Sequence, residues 1–253
     1  MDTVTAVRAI AGAGCAESVW RDWLEAIDVP TLPLQAWLPT VARLVVVAPH
    51  PDDEVLACGA LLAMHAARGG GCCVVAVTDG EASHPGSTRW SPQQLGAVRS
   101  AEQREGLQRL GLSGTLAHVL GLPDGAVQAQ AERLQRRLIG LLRPADVVVA
   151  TWALDGHPDH DACGTAAEQA CAAVGCRLLA APVWMWHWAA PEDVRVPWHR
   201  LRALPVDSTA WCRKQAALRS HASQHAAREE GQGPVLGTEI LARATRLREY
   251  FFV

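Results

Sequence analysis

Two short clusters of imidazole and carboxylate side chains are the parts of this chain best suited to chemistry: His50-Pro51-Asp52-Asp53-Glu54 and His157-Pro158-Asp159-His160. Histidine nitrogen and carboxylate oxygen hold zinc, commonly as three protein donors with one position left open. His50, Asp53 and His160 can provide such a set. Mixed nitrogen and oxygen donors suit Zn2+ best but also admit Fe2+, Mn2+ or Co2+. An ion so held lowers the pKa of water to about 7 and polarises a carbonyl oxygen, which makes amide hydrolysis a natural use. The reaction also needs a base and an acid within hydrogen-bond reach of the reacting atoms. Asp52, beside Asp53, is the candidate base, because successive residues leaving a strand point in different directions. His157 can stabilise a developing oxyanion or act as the acid, and Asp159 can orient an imidazole. Spacing alone does not divide the roles further.

Both clusters follow apolar runs, Leu44-Val45-Val46-Val47-Ala48 and Val147-Val148-Val149-Ala150-Thr151. Open α/β sheets put their chemistry at the carboxyl ends of such buried strands. From residue 43 onward, strand-like and helix-like runs alternate: strand 43–48, helix 54–67, strand 72–78, a polar loop 81–91, and a helix from 92 to 110. This helix is opened by the capping box Ser91-Pro92-Gln93-Gln94 and stopped by Gly111. A strand at 117–121, a helix at 129–142, strand 146–152, a helix at 161–174 and a strand at 177–188 continue the pattern. Alternation of this kind predicts βαβ units: a Rossmann-like α/β fold, mostly parallel, with helices on both faces of the sheet. Residues 191–206 read as irregular, 209–226 as helix, 227–237 as loop and 238–250 as a final helix. Residues 1–40 read as an appended helical extension packed on the outside, with Val19, Trp20, Trp23, Leu24 and Ile27 at helical spacing before Pro30, Pro33 and Pro39. Residues 41–253 then form the single catalytic domain.

The 253 residues carry a formal charge of −3 with acids and bases mixed throughout, so there is no basic stripe for nucleic acid. No stretch approaches the roughly 20 apolar residues of a membrane span, and the amino terminus lacks a signal-peptide layout. The expectation is a cytoplasmic protein. Eight cysteines without metal-binding spacing fit buried thiols in a reducing compartment, and Cys58 and Cys163, near the two clusters, read as packing.

The clusters in context, Ala48-Pro49-His50-Pro51-Asp52-Asp53-Glu54 and Asp155-Gly156-His157-Pro158-Asp159-His160, resemble the two signature motifs of the PIG-L family, also called LmbE-like zinc deacetylases. The resemblance runs through Thr78-Asp79-Gly80-Glu81, Arg99 and Glu102, Leu120-Gly121-Leu122-Pro123-Asp124-Gly125, and His221-Ala222-Ser223-Gln224. It implies a zinc hydrolase that removes the acetyl group from an N-acetylglucosaminyl sugar or glycoconjugate. By motif position it implies that His50, Asp53 and His160 bind zinc, Asp52 is the general base, His157 stabilises the oxyanion and Asp159 orients a neighbour. Arg99 and Asp124 match positions that contact the sugar.

Each of these residues has a plainer use. Arg99 can pair with Glu102 on an exposed helix face, and Asp124 in Pro-Asp-Gly is a natural turn residue. Glu54 is read as a first-turn acid favoured by the helix dipole rather than as a ligand. Trp184, Trp186 and Trp188, alternating on a strand, would share one face in the core, with His187 a satisfied interior histidine on the other. His84, in a mobile loop, is a candidate substrate contact, while His221 and Gln224 suit a supporting network. Two rival functions remain: the same metal site used for a larger amide or for hydration of an unsaturated carboxylic acid, and a non-catalytic sugar-binding module. The pairing of a base with a complete ligand set argues against the second.

Overall fold

The structure is a computed structural model that describes residues 8–10, 12, 14–31, 34–112, 117–229 and 232–253. The start of the expected extension, residues 1–7, lies outside these. The helices α1 (Glu17–Ala26) and α2 (Leu34–Trp37) lead into strand β1 (Leu44–Ala48). Then follow α3 (Asp53–Ala67), β2 (Cys72–Ala76), α4 (Pro92–Arg109), β3 (Ala117–Val119), α5 (Ala131–Leu141), β4 (Val147–Thr151), α6 (Pro158–Val174) and β5 (Arg177–Ala181). The chain closes with α7 (Met185–Trp188), β6 (Leu201–Pro205), α8 (Ser208–Ser220), α9 (Ala222–His225), α10 (Thr238–Ala244) and β7 (Arg248–Phe252). The strand order is β3-β2-β1-β4-β5-β7-β6. The first five in that order pair in parallel, and β7 runs antiparallel to both β5 and β6.

Every residue of β1 and β4 is buried, as expected for central parallel strands covered on both faces. Leu44, Val46 and Ala48 face a core layer built with α3 and α8, whereas Val45 and Val47 face one built with α5 and α6. The sequence therefore shows an unbroken apolar run, not an alternating one. Chain order reverses at β1: β2 lies on one side and β4 on the other. The crevice beyond their carboxyl ends is the switch point at which such sheets bind ligands, and both His/Asp clusters open there.

Helix α3 is broken at Cys58, whose backbone sits at φ −151°, ψ 29°. The amides of Ala60 and Leu61 donate instead to the two carboxylate oxygens of Glu249, each at 2.8 Å. Lys214 donates to Glu249 at 2.7 Å and to the Leu56 carbonyl at 3.2 Å, so the buried charge is paired and the break is satisfied on both sides. Gly164 has a different task. A Cβ there would lie 2.5 Å from the Thr151 carbonyl, so only glycine lets α6 close onto the end of β4.

Four stretches depart from the sequence reading. The expected helix over 238–250 ends at Ala244, and Arg248–Phe252 forms β7, paired along its length with β6 inside the stretch read as irregular. The expected helix over 209–226 breaks at His221. The strand expected through 188 stops at Ala181, and Met185–Trp188 is a helical turn, so the three tryptophans diverge. Trp186 packs edge-on against Trp20, Trp188 donates to the Asp155 carbonyl, and Trp184 turns toward the crevice. The early segment is also more integral than an outer appendage. Trp20 and Leu38 are fully buried, and Thr31 bridges to Ala203 on β6, covering that sheet edge. No helix among the described residues is long and apolar enough to cross a membrane.

Candidate active site

His50, on the turn leaving β1, and Asp53, the first residue of α3, are locked to each other. The Asp53 Oδ2 accepts from the His50 backbone amide at 3.0 Å and lies 3.1 Å from His50 Nδ1. His160, in the first turn of α6, brings Nε2 to 3.2 Å from the same oxygen. That nitrogen is fully buried yet makes no hydrogen bond, because its direction misses the carboxylate. A buried, unpartnered imidazole nitrogen beside a carboxylate and a second imidazole fits a shared cation, and the donor atoms of His50, Asp53 and His160 all lie within 4.8 Å of one another.

A second triad, His50, His157 and Asp159, meets the same distance criterion. Its donors are already committed. His157 caps α6, its Nδ1 accepting from the Asp159 amide at 3.2 Å. Asp159 accepts from the amides of Gly125 at 2.7 Å and Val127 at 3.1 Å. The first triad is therefore the better cation site. Neither Cys58 nor Cys163 joins a candidate metal group among the described residues.

The imidazoles are aimed from behind. His50 Nε2 lies 3.1 Å from Asp124 Oδ1 and 3.4 Å from Asp159 Oδ2. His160 Nδ1 lies 2.8 Å from Asp155 Oδ2, and the Asp155 carboxylate also accepts the amides of Val183, Trp184 and Met185, each at 2.9 Å. This is the carboxylate–histidine arrangement that fixes a ligand's tautomer and orientation. Burial alone would lower both histidines. The carboxylates of Asp124, Asp159 and Asp53 outweigh it at His50, raising its pKa well above the usual value, and Asp53 and Asp155 carry His160 up to about 9. Burial likewise opposes ionisation of Asp53, but the two imidazoles hold it well below the ordinary carboxylate range.

Asp52 occupies a left-handed backbone conformation, φ 132° and ψ −27°, that non-glycine residues avoid. Strain of this sort costs about 1–3 kcal/mol and persists where the surroundings over-determine it. Here the Asp52 carbonyl accepts from the amides of Val55 and Leu56, both at 2.9 Å, and its carboxylate receives Arg99 at 3.1 Å. The twist separates the directions of two adjacent aspartates. Burial raises the Asp52 pKa, Arg99 offsets part of the rise, and Asp53 adds to it.

Arg99 is buried and donates also to the carbonyls of Gly80 at 2.8 Å and Pro51 at 2.9 Å. It forms no surface pair with Glu102, which instead binds the Ser223 amide and hydroxyl. Glu54 stands in the first turn of α3 as expected, but it is fully buried, and burial pushes its pKa up to about 8 despite a hydrogen bond from Gln103 at 3.0 Å. His221 is buried with neither ring nitrogen bonded, and burial followed by the field of Arg99 lowers its pKa to about 3. Gln224 donates to Ser223 at 2.8 Å within the same inner layer.

The resulting cleft, of about 270 Å³, is lined by His50, Asp52, Asp53, His157, His160, Arg99 and Asp124, together with Trp184, Arg228 and Leu236. Asp124 both faces the cleft and accepts from the Ala82 amide at 2.9 Å. His84 is not among the lining residues. It bonds Ser83 at 3.0 Å at the rim, and burial, with Arg228 and Arg99 nearby, lowers its pKa. Asp155 and Arg228 are groups at the cleft that the sequence reading did not assign, and Trp184, read there as core, lines the cleft as well. Asp155 stood inside the second motif, but nothing local showed that its partners lie 28–30 residues downstream.

Residues 45–171 match the family model described as PIG-L: GlcNAc-PI de-N-acetylase. The 1D-myo-inositol 2-acetamido-2-deoxy-alpha-D-glucopyranoside deacetylase of Corynebacterium diphtheriae is 30% identical, covering 72% of this chain and 76% of its own. The protein of the same name from a Mycobacterium species is 29% identical over 91% of this chain and 88% of its own. Among solved structures, the conserved protein TT1542 from Thermus thermophilus superposes with a TM-score of 0.59 at 27% identity, covering 83% of this chain and 93% of the other. A family match across both His/Asp clusters, a fold shared over 83% of the chain and a triad of converging donors lead to one assignment: the chain belongs to the PIG-L family, GlcNAc-PI de-N-acetylases.

Proposed function

We propose that the protein is a cytoplasmic, zinc-dependent N-deacetylase that hydrolyses the acetamide of an N-acetylglucosaminyl sugar or glycoconjugate to acetate and the free amine. The observation carrying this reading is the convergence of His50 Nδ1 and His160 Nε2 on Asp53 Oδ2, at 3.1 and 3.2 Å, beside a second carboxylate with a separate direction. His50, Asp53 and His160 would hold the ion, which supplies Lewis acidity toward the amide carbonyl and lowers the pKa of water toward about 7.

The chain's own groups do the rest. Asp52, with a pKa raised by burial, takes a proton from the attacking water as its oxygen adds to the carbonyl carbon. Arg99 keeps that carboxylate facing the cleft. His157 is neutral at pH 7, because burial lowers its pKa to about 4, with His160 and His50 adding to the effect. Its Nδ1 accepts the cap hydrogen bond, so the proton resides on Nε2, which can donate to the carbonyl oxygen as negative charge develops there. When the C–N bond breaks, the proton held by Asp52 passes to the leaving nitrogen. Asp155 and Asp159 contribute by orientation alone. Eight unpaired cysteines support the cytoplasmic setting.

The test is metal content and amine release over a panel of N-acetylated sugars. Asp53→Ala should retain metal poorly, while Asp52→Asn should keep its metal and lose about a hundredfold or more in turnover, the scale of a general base. Wild-type protein that binds no divalent metal, or that is fully loaded and releases no amine from any acetamide, would refute the proposal.

A further inference from the structure

Helix α6 stops at Gly175, whose left-handed backbone, φ 81°, turns the chain out toward β5. The carbonyl of Cys171 accepts from the Gly175 amide at 2.8 Å and from the Cys176 amide at 3.2 Å. In this kind of helix stop, the residue after the glycine folds back over the last turn and packs on the residue that accepts its amide. Apolar side chains commonly fill those two places. Here both are cysteines. Cys171 is buried in the core layer built with α5 and α6, and Cys176 is half-buried and packs against the same layer. The two thiols are in hydrogen-bonding contact, and burial together with that contact raises the pKa of Cys171.

We propose that Cys176 and Cys171 form a reversible oxidation site, in which Cys176 is the thiol oxidised by hydrogen peroxide and Cys171 the thiol that closes a disulfide. Partial exposure lets a small oxidant reach Cys176, whereas Cys171 is enclosed and holds its proton, so it does not react first. The Cys176 sulfur attacks one peroxide oxygen, the O–O bond breaks, and the thiol proton leaves with the other oxygen as water. A sulfenic acid remains. The Cys171 sulfur then attacks the Cys176 sulfur, the S–O bond breaks, and the departing hydroxide takes the Cys171 proton as a second water. The two thiols together lose two electrons, and the peroxide is reduced to water. Without a partner, a sulfenic acid advances to sulfinic acid, which reducing thiols do not restore. That acid would press a charge against the apolar layer under α6, where an unpaired charge is costly. Cys171 diverts the damage into a bond that small thiols reverse, as in the transient disulfides of reducing compartments.

The experiment treats the zinc-loaded wild type, Cys171→Ala and Cys176→Ser with hydrogen peroxide. Each is then unfolded, alkylated at its remaining thiols and mapped by peptide mass spectrometry. Cys212, exposed on α8, gauges the dose of oxidant. In wild type, Cys171 and Cys176 should each lose a hydrogen and resist alkylation while Cys163 is alkylated, and a thiol reductant should restore both. In Cys171→Ala, sulfinic acid should accumulate at Cys176 about tenfold or more faster than in wild type, because a thiol already in contact reacts at an effective concentration far above that of added peroxide. Cys176→Ser should leave Cys171 reduced. Oxidised wild type should melt no lower than its reduced form, whereas oxidised Cys171→Ala should melt below its own. Sulfinic acid at Cys176 of wild type at the rate seen in Cys171→Ala would overturn the proposal. So would a disulfide that uses Cys163 or Cys212, or a pair that stays reduced when Cys212 is fully oxidised. The wild-type map alone decides whether the bond forms, should either variant fail to fold.

Discussion

The floor and the rim of the cleft are built on different principles. On the floor, Asp155 alone accepts three backbone amides and holds His160, while Asp159 accepts two more amides beside His50. The groups are buried, mutually charged and fixed by the ends of central strands. At the rim, the loop 81–91 and the segment after α9 meet through the contacts of Glu229 with Ser87 and Thr88, one half-buried and one exposed. The difference teaches where each kind of function can reside. Chemistry needs donors held to fractions of an ångström, which a buried network supplies. Selection among substrates can be left to loops supported by a few exposed contacts.

The sharpest way to break this comparison is at His157, which lies on the floor and yet serves two purposes. In His157→Asn the side-chain oxygen can still cap α6, but the Nε2–H is gone. Turnover should fall about 100- to 1,000-fold, the usual loss for one oxyanion donor, with metal content and melting temperature near wild type. Steady-state kinetics with metal analysis checks it. Unchanged turnover would reduce His157 to a helix cap.

A smaller effect is expected one layer further back. Asp155→Asn keeps the shape and part of the acceptor capacity for the amides of Val183, Trp184 and Met185, but removes the charge facing His160. Metal affinity should drop about 10- to 100-fold, as for other partners of ligating histidines. Competition with a chelating dye measures this. Full affinity in the variant would mean that His160 is aimed by packing alone.

How far the molecule can be read from its sequence follows the same division. The parallel strands and most helices are legible because apolar periodicity and caps are local: the capping box at Ser91 opens α4 at Pro92 as expected. The two clusters are legible because their imidazoles and carboxylates lie within a few residues of one another. Asp155 is visible only as a letter in a motif, since its work is with amides nearly thirty residues away. The end of the chain misleads for a related reason. Arg248–Phe252 forms a strand because β6 and β5 flank it. Glu249 is buried there because the break in α3 needs an acceptor, a demand that arises nearly 190 residues earlier. Glu54 stands in the first turn of α3 and outside the donor triad as read, but nothing in its sequence neighbourhood reveals its full burial.

The rim should yield the mildest change, and in a different kinetic constant. Glu229→Gln weakens the contacts to the Ser87 hydroxyl and Thr88 amide without touching the floor, whose donors are bonded through other elements. An exposed set of hydrogen bonds of this kind is worth about 1 kcal/mol or less. The expected result is therefore a KM raised about two- to fivefold with kcat and metal content unchanged. A fall in kcat of tenfold or more would show that the loops help position the reacting acetamide, and the separation between floor and rim would then fail at this contact.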